Sequence, residues 1–565
     1  MGSTACEPSR LDGAGKNGYS IFCAAKAVCK HTKGGSAVGN TIRDDARDTG
    51  LRLLKKGRRG LLRAVFSRAG LILLMLLVQV ALLVFLFDYL GDYLPHAVTV
   101  SSVFAVVMAL AVLNGEHDAS SKITWIIVIT TLPVFGALLF LYTQSDLGHR
   151  ILKRRFAQVT EDSRQMLRQD EAVSARLESE APELLGLGNY VNRTGCFPVY
   201  AGSRVRYFPL GDELFPALLE ELEQAERYIY LEFFVIAEGL MWGRVLEILA
   251  RKAAQGVDVR LIYDGTNEFF TLPPSYPKRL EALGIRCKTF APIRPFVSTL
   301  YNYRDHRKIL VIDGKTAFNG GINLADEYIN RQSRFGHWKD SGVIVHGPAA
   351  QSYALMFLQM WNIDEKEPDF AVMAEPPAPP EEAAGFLLPY GDCPLDDERV
   401  GEWVYMDLLN RARRYVHIMT PYLILDGEME TALKFAAERG VDVRLILPGV
   451  PDKKLPYALA KTHYASLLRS GVKICEYTPG FVHAKSFVVD DREAVVGTIN
   501  LDYRSLYHHF ECATYMSGVD CIKEIEADFR ETQALCRQVS METVKNESWT
   551  VKLAGILMKV IAPLL

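Results

Sequence analysis

The sequence predicts an α/β protein made of two duplicated halves, preceded by N-terminal transmembrane helices. Three observations support this prediction. The heptapeptide GVDVRLI occurs at Gly256 and again at Gly440. A His-x-Lys-x4-Asp pattern, followed by a glycine turn and an asparagine, begins at His306 and recurs at His483. Three long apolar stretches lie ahead of both copies, between residues 70 and 142.

Each copy alternates short β-like runs with helical ones, which is typical of βαβ units on a parallel or mixed sheet. In the first copy, a strand is predicted over Ile229–Ile236 and a helix over Val245–Gln255. A further strand is predicted over Val257–Asp264. Because the same segments recur in the same order, an internal duplication explains the pattern.

The apolar stretches predict helices at about 70–88, 97–114 and 122–142. The first is about as long as a bilayer is thick. The middle one is short and carries hydroxyl side chains, so a buried soluble helix is the alternative. Basic residues flank the block on both sides, which leaves its orientation open but favours a cytoplasmic catalytic region.

The other domain boundaries follow from composition. Residues 1–63 are predicted to be a disordered basic arm. The apolar tail WTVKLAGILMKVIAPLL carries two lysines, so it either lies in a membrane interface or packs on the catalytic region. The predicted units are 64–145 (transmembrane), 146–199 (charged helical connector), 200–367 (first half), 368–386 (Pro-rich linker), 387–540 (second half) and 541–565 (tail).

Composition narrows the function classes for this chain of 565 residues. Its net charge of −3 gives no indication of nucleic-acid binding. The ten cysteines form no CxxC pair and no zinc-type spacing with histidine. A hydrophobic fraction of 49% is high for a soluble protein and favours membrane segments.

The repeated motif is suited to phosphate chemistry. On a strand, His306 and Lys308 share one face while Asp313 lies on the other. The second copy has the same pattern, with His483, Lys485 and Asp490. An imidazole beside an ammonium group can attack or protonate while the ammonium neutralises charge on a phosphate oxygen.

Two asparagines and the duplication itself extend this interpretation. Asn323 and Asn500 follow the two histidines at the same distance and could donate hydrogen bonds to phosphate oxygens. Exchange of a phosphodiester through a covalent intermediate needs a nucleophile and a separate acid. Two copies facing each other across a pseudo-twofold interface would supply both, so the halves are predicted to form one active site.

These paired motifs resemble those of the phospholipase D superfamily. The surrounding text, such as YNYRDHRKILVIDGKTAFNGGINLADEY and PGFVHAKSFVVDD, is similar to that of the bacterial cardiolipin synthases. The resemblance covers about residues 115–565. It implies two phospholipase D-like α-β-α halves that form one pseudo-twofold catalytic unit.

The resemblance also implies roles for individual residues. One of His306 and His483 becomes a phosphohistidine, with His306 favoured, and the other acts as general acid and then base. Within FGHWKD and LDYRSLYHHFE, Asp340 and Glu511 match the acids that orient a catalytic histidine. The residues predicted for the catalytic group are His306, Lys308, Asp313, His483, Lys485 and Asp490, of which the two aspartates are expected to organise turns.

The activity that the resemblance implies is phosphatidyl transfer between two phosphatidylglycerols, giving cardiolipin and glycerol. One phosphodiester replaces another, so no ATP or other energy source is required; no cofactor and no metal are expected. The predicted partners are phosphatidylglycerol, other anionic phospholipids and the bilayer of a multi-pass bacterial cell-membrane protein; no nucleic acid is expected, and the oligomeric state stays open. The alternatives are another phospholipase D-type phosphatidyltransferase or hydrolase, and a membrane-tethered nuclease.

Overall fold

The fold is taken from a computed structural model, which describes residues 51, 94–116, 118–144, 147–292, 303–374 and 383–564. The predicted helix at 70–88 lies outside the described residues. So does the predicted basic arm, apart from Leu51.

Three helices open the main described region: α1 (Leu94–Asn114), α2 (Ala119–Thr131) and α3 (Pro133–Gln144). The predicted continuous helix at 122–142 is therefore divided in two. Pro133 has no N–H to continue the ladder, and Leu132 before it leaves helical geometry, with φ −132°. Among the helices of the described ranges, none combines the length and apolar character that crossing a bilayer requires.

The connector to the catalytic region is helical and packs on it. It consists of α4 (Leu147–Ser163), α5 (Glu171–Glu180) and α6 (Pro182–Gly195). Asp170 caps α5 by accepting from the N–H groups of the first turn. The ring of Phe156 lies edge-on to Phe510, at 5.3 Å between centroids, so α4 touches the second half directly.

The first half is a mixed sheet flanked by helices. Its elements are β1 (Tyr200–Ala201), β2 (Arg204–Phe208), α7 (Gly211–Glu223), β3 (Tyr228–Phe233), α8 (Leu240–Ala254), β4 (Asp258–Asp264), α9 (Asn267–Phe270), α10 (Tyr276–Glu281), β5 (Arg286–Phe290), β6 (Arg304–Asp305), β7 (Lys308–Ile312), β8 (Thr316–Gly320), β9 (His337–Lys339), β10 (Gly342–His346) and α11 (Ala350–Asn362). Seven of the strands form a sheet in the order β2-β10-β8-β7-β3-β4-β5.

The second half repeats this plan. Its elements are β11 (Phe386–Asp392), α12 (Val400–Arg411), β12 (Tyr415–Met419), β13 (Leu423–Ile424), α13 (Gly427–Glu438), β14 (Asp442–Pro448), α14 (Lys454–Arg469), β15 (Lys473–Tyr477), β16 (Gly480–Val482), β17 (Ser486–Val489), β18 (Glu493–Gly497), β19 (Leu501–Asp502), β20 (His509–Ser517), α15 (Ile522–Ala534) and β21 (Cys536–Gln538). The tail forms α16 (Met541–Lys545) and α17 (Trp549–Ile561).

The two sheets have matching strand orders. The run β10-β8-β7-β3-β4-β5 corresponds to β20-β18-β17-β12-β14-β15. In each run the last three strands are parallel, and the strand that carries the repeated motif is antiparallel to its neighbour. This equivalence confirms the predicted duplication of an α/β unit.

The halves are joined into one body in two ways. Helix α11 is buried along its length and contacts strands of both sheets, with Phe357 stacked on Tyr230 at 4.7 Å. Two short parallel pairings also cross between the halves. Strand β6 pairs with β20, and β16 pairs with β9. Each crossing strand leads directly into a motif histidine, so these pairings place the site.

Candidate active site

His306 lies between β6 and β7 and is held by the second half. Its backbone N–H donates to the carbonyl of Phe510 at 2.9 Å. Its ring Nδ1 lies 2.9 Å from both carboxylate oxygens of Glu511. Because a carboxylate only accepts, Nδ1 carries the proton and Nε2 keeps its lone pair. Glu511 therefore orients a histidine of the opposite half.

His483 lies between β16 and β17 and is held by the first half in the same manner. Its backbone N–H donates to the carbonyl of Lys339 at 2.7 Å. Its Nδ1 lies 2.6 Å from Oδ2 of Asp340. The orienting carboxylates are thus exchanged between the halves, and neither half supplies the acid for its own motif histidine.

The two motif lysines are buried beside these rings. Lys308 Nζ donates to the carbonyl of His306 at 2.6 Å, and Lys485 Nζ donates to that of His483. Burial lowers the pKa of Lys308 to about 8 and that of Lys485 to about 7. Both ammonium groups have therefore lost most of their hydration, which strengthens their attraction for an entering anion.

The imidazoles and lysines act on one another across the interface between the halves. Burial, followed by the charge of Lys308, holds the pKa of His306 well below its ordinary value, and Lys485 adds to this. Burial and Lys485 lower the pKa of His483 to about 4, with a smaller contribution from Lys308. The charge of each lysine thus lowers the pKa of the histidine of the opposite half, as expected of one shared site.

The residues beside the two acids explain a difference between the motif turns. Thr498 donates its hydroxyl proton to Glu511, which fixes that carboxylate. The first half has Gly321 at the equivalent place. A Cβ there would lie 2.1 Å from Oδ1 of Asp340, so the carboxylate fills the space of a side chain. The shorter acid is thus paired with glycine and the longer one with threonine.

The two asparagines have different surroundings. Asn323 Oδ1 accepts from the N–H of Val235 at 2.9 Å, and its Nδ2 donates to Tyr328 Oη at 2.7 Å. Both of its polar atoms are therefore engaged within the first half. Asn500 Oδ1 is buried and has no hydrogen-bond partner among the described residues. The unpartnered atom of Asn500 is thus an acceptor, which could take a hydrogen bond from a hydroxyl group.

Asp313 and Asp490, predicted with the catalytic group, make their hydrogen bonds with backbone N–H groups rather than with the imidazoles. Asp313 accepts three backbone N–H bonds at 2.8 Å from residues 226–228. Asp490 does the same for residues 413–415, at 2.7 and 2.8 Å. Both have positive φ, 53° and 55°. They tie the turn after the motif strand to the start of β3 or β12, the turn-organising role predicted for them.

Asp313→Ala is expected to lower the free energy of unfolding by about 2–4 kcal/mol, because three N–H groups lose a charged acceptor. Turnover per folded molecule should stay near the wild-type value. Urea unfolding combined with active-site titration measures both quantities. Asp212→Ala is the matched control, since that exposed carboxylate accepts only one bond, at 3.3 Å from Asn330. A variant with wild-type stability but no turnover would contradict the structural role.

Two site residues were not predicted from sequence. The ring of His509 lies 5.3 Å from His306 at an interplanar angle of 41°. In the other half, Trp338 has the same geometry against His483, at 5.3 Å and 41°. Each stands two residues before the orienting acid of its half. A comparison of FGHWKD with YHHFE at this register could have found them.

One group of described side chains could bring three ligand atoms to a metal: His306, His509 and Glu511, within 4.8 Å of one another. The surrounding charge does not suit a divalent cation. Arg504 Nε donates to His509 Nε2 at 3.1 Å, and the charge of Lys308 lowers the pKa of both imidazoles. The same positive charge attracts an anionic phosphodiester, so the group fits phosphate better than metal.

Comparisons with known sequences agree with this geometry. The family described as "Cardiolipin synthase, PLD-like domain" matches residues 218–361 and 405–533, which lie in the two halves. The family described as "Phospholipase_D-nuclease N-terminal" matches residues 103–142, across the N-terminal helices. The fold and the paired histidine–lysine sites thus define a protein of the phospholipase D superfamily.

Individual relatives identify the family within this superfamily. A cardiolipin synthase of Geobacillus kaustophilus is 31% identical over 81% of this chain and 92% of its own length. A protein of Streptococcus mutans described only as uncharacterized is 54% identical over 81% of this chain and 99% of its own. The chain therefore belongs to the cardiolipin synthase family, and it is a phospholipid phosphatidyltransferase.

A solved structure supports the fold. The phosphatidylserine synthase of Haemophilus influenzae aligns over 67% of this chain and 97% of its own, with a TM-score of 0.52 and 15% sequence identity. At this identity the likeness concerns the fold alone. It confirms the phospholipase D-like arrangement of two α/β halves.

Proposed function

We propose that the protein transfers the phosphatidyl group of one phosphatidylglycerol to the hydroxyl of another, giving cardiolipin and glycerol through a phosphohistidine. The observation that carries this proposal is the exchanged pairing of His306 with Glu511 and of His483 with Asp340. It brings two imidazoles and two ammonium groups to one buried centre. The names of the sequence relatives support phosphatidylglycerol as the substrate.

In the first half-reaction, His306 Nε2 attacks the phosphorus of the bound phosphodiester. The bond between phosphorus and the glycerol oxygen breaks, and His483, which enters the reaction as the imidazolium, donates its Nε2 proton to that oxygen. Lys308 and Lys485 neutralise charge on the non-bridging oxygens. Glycerol leaves, and the phosphatidyl group stays on His306.

In the second half-reaction, the terminal hydroxyl of another phosphatidylglycerol attacks the same phosphorus. His483, now neutral, removes the hydroxyl proton, and the bond between phosphorus and His306 breaks. One phosphodiester replaces another, so no external energy source is needed. The enzyme returns to its starting protonation state.

The surroundings of the two rings support His306 as the nucleophile. Lys308 and His509 both lie against His306, and after burial they are the main causes that keep its pKa low. Both rings have a carboxyl group at Nδ1, and the charge of Asp340 raises the pKa of His483 against burial and Lys485. His483 is therefore the easier imidazole to protonate, which suits a general acid.

Aromatic rings around the imidazoles favour transfer over hydrolysis. Phe234 lies edge-on to His306 at 4.8 Å between centroids. Tyr328 and Trp338 lie 5.5 and 5.3 Å from His483. Apolar walls of this kind limit the number of water molecules that can compete with a lipid hydroxyl.

Membrane association belongs to the same proposal, as multi-pass attachment through the N-terminal apolar region. Helix α1 supports it with a row of exposed valines and leucines, among them Val103, Val107 and Leu110. A bilayer would supply both phosphatidylglycerols at high local concentration.

The proposal is tested with the full chain in detergent micelles and radiolabelled phosphatidylglycerol. Cardiolipin and glycerol in equal amounts are the expected products. Phosphatidic acid with glycerol would identify a hydrolase, and a product that forms only with added serine or another alcohol would identify a different transferase. Cleavage of DNA without lipid turnover would indicate a nuclease.

The value of kcat/KM is expected to fall more steeply as pH rises through about 7 to 8, because the lysines of the free enzyme then lose their charge, in addition to the loss of the His483 proton, whose pKa is about 4. Below that range both lysines are protonated and can bind the phosphodiester. In the Lys485→Arg variant the arginine stays charged at all these pH values. The fall of kcat/KM at high pH should therefore move up towards the pKa of Lys308. Rate profiles at constant ionic strength measure this shift; a limb that does not move would assign the titration to another group.

A further inference from the structure

The C-terminal helix α17 packs on the second half through only one of its faces. Gly555 is the centre of this contact. A Cβ at Gly555 would lie 2.5 Å from the carbonyl oxygen of Ala458 and 2.7 Å from Cγ2 of Thr462, both on α14. This close approach fixes the helix rotation, and with it the direction in which the opposite face points.

The opposite face is apolar and exposed. Its large residues have relative exposures of 73% (Trp549), 47% (Leu553), 62% (Ile556), 62% (Leu557) and 38% (Ile561). Residues four and three apart follow one another on a helix surface, so these side chains form a continuous strip rather than scattered single residues.

Two lysines border this strip on one side. Lys552 and Lys559 are both exposed and stand seven residues apart, two turns along the same edge. Lys552 Nζ donates to the carbonyl of Lys545 at 2.7 Å, and the flexible stem of Lys559 can follow the apolar surface while its ammonium group stays at a polar boundary. Trp549 at the start of the helix is a residue type that is enriched at membrane–water interfaces.

The strip borders the apolar N-terminal helices. Thr124 Oγ1 on α2 donates to the carbonyl of Val560 on α17 at 2.7 Å. Exposed apolar side chains continue from there over all three N-terminal helices. They are Val100, Val103, Val106, Val107, Leu110 and Leu113 of α1, Ile123 and Ile127 of α2, and Val134, Leu138 and Leu141 of α3.

The end of α17 also touches the segment that leads into the active site. Ala562 packs with Tyr503, and the carbonyl of Pro563 lies 3.4 Å from His508 Nε2. His508 ends a one-turn π-helix, and His509 beside it is the residue that contacts His306. The apolar strip and the active site are therefore connected through a few residues of one segment.

We propose that α17 is an interfacial helix whose exposed strip enters the headgroup region of an anionic phospholipid bilayer, next to the active site. The two lysines select this occupant, because they match the phosphates of anionic lipids, whereas a protein partner would not need a charged border of one sign. The inference rests on the proposed lipid substrate and adds to it the surface that holds the site at the bilayer.

The first test measures the depth of Trp549 in vesicles. The full chain and its Trp549→Phe variant are reconstituted into phosphatidylglycerol-containing vesicles with lipids brominated at different acyl positions. The difference between the two fluorescence signals reports Trp549 alone. Quenching that is strongest for shallow bromine positions is expected. No quenching by any lipid, together with quenching by aqueous iodide, would overturn the proposal.

The second test places charge on the strip. Ile556→Glu/Leu557→Glu should lower kcat/KM on phosphatidylglycerol vesicles at least about tenfold, because two carboxylates oppose burial in an anionic interface. Turnover of dispersed short-chain phosphatidylglycerol should stay unchanged. Leu535→Glu is the matched control, since Leu535 is an exposed apolar residue at the end of α15.

The outcomes separate this inference from the proposed function. A wild-type chain that fails on dispersed lipid refutes the proposed function, and the Trp549 signal remains readable. Equal losses of the double variant on both lipid forms would mean that the strip acts on the site itself, which overturns the interfacial role. A change from dimer to monomer in detergent, seen by light scattering, would show a second copy on the strip and would also overturn it.

Discussion

Replacing His306 or His483 by alanine is expected to lower cardiolipin formation at least about 10³-fold, because each variant loses a group that must bond to phosphorus or move a proton. The two variants should differ with an activated substrate. A phosphatidyl ester of p-nitrophenol needs no proton for its leaving group. His483→Ala should therefore release one equivalent of p-nitrophenolate per site, whereas His306→Ala should release none.

The measurement is a stopped-flow burst, followed by acid quenching to detect lipid bound to the protein. His346→Ala is the control, since that residue, at the end of β10, pairs with Glu221 of α7 outside the site. It should keep the wild-type burst. A full burst from His306→Ala and none from His483→Ala would exchange the two roles, and normal turnover of both variants would remove the shared site altogether.

Much of the fold can be predicted from the sequence because both copies of the duplicated unit show the same pattern of strands and helices. The strand predicted at Val257–Asp264 is observed as β4, one residue shorter, and the helix predicted at Val245–Gln255 is the core of α8. The motif strand predicted from His306 onward is observed as β7, which begins at Lys308, so His306 itself precedes the strand. The family resemblance then supplied the pairing of the halves.

The features of the site that could not be predicted from the sequence depend on contacts between distant segments. Asp340 and Glu511 could be predicted as orienting acids, but which histidine each serves depends on β9 and β20 pairing across the interface. His509 sits beside another histidine in the sequence and has the pattern of an ordinary strand-edge residue. It becomes part of the site only because β6 pairs with β20 and brings His306 to it.

The N-terminal helices differ from their prediction for another reason. Hydropathy over residues 122–142 is continuous, so the pattern predicts one helix. The break at Pro133 depends on how the freed backbone groups are satisfied. Gly136 N–H bonds back to Leu132 at 2.6 Å and starts a separate helix. Packing of Trp125 on Phe140, at 5.3 Å between ring centroids, then folds the two segments against each other.

The exchange of acids between the halves gives a prediction with an effect nearly as large. Asp340→Asn and Glu511→Gln should each lower turnover by about 10²–10⁴-fold, because an amide can no longer fix the histidine tautomer. The decisive result is whether each variant keeps or loses the p-nitrophenolate burst with the activated substrate. Asp340→Asn should behave like His483→Ala and keep the p-nitrophenolate burst, because Asp340 serves the acid of the other half.

Glu511→Gln should behave like His306→Ala and lose most of the burst, although Glu511 lies in the second half with His483. If each acid served the histidine of its own half, the two patterns would be reversed. Asp326→Asn is the control for a carboxylate-to-amide change in the first half. That residue accepts from backbone N–H groups at the start of α8 and should affect stability while the burst stays intact.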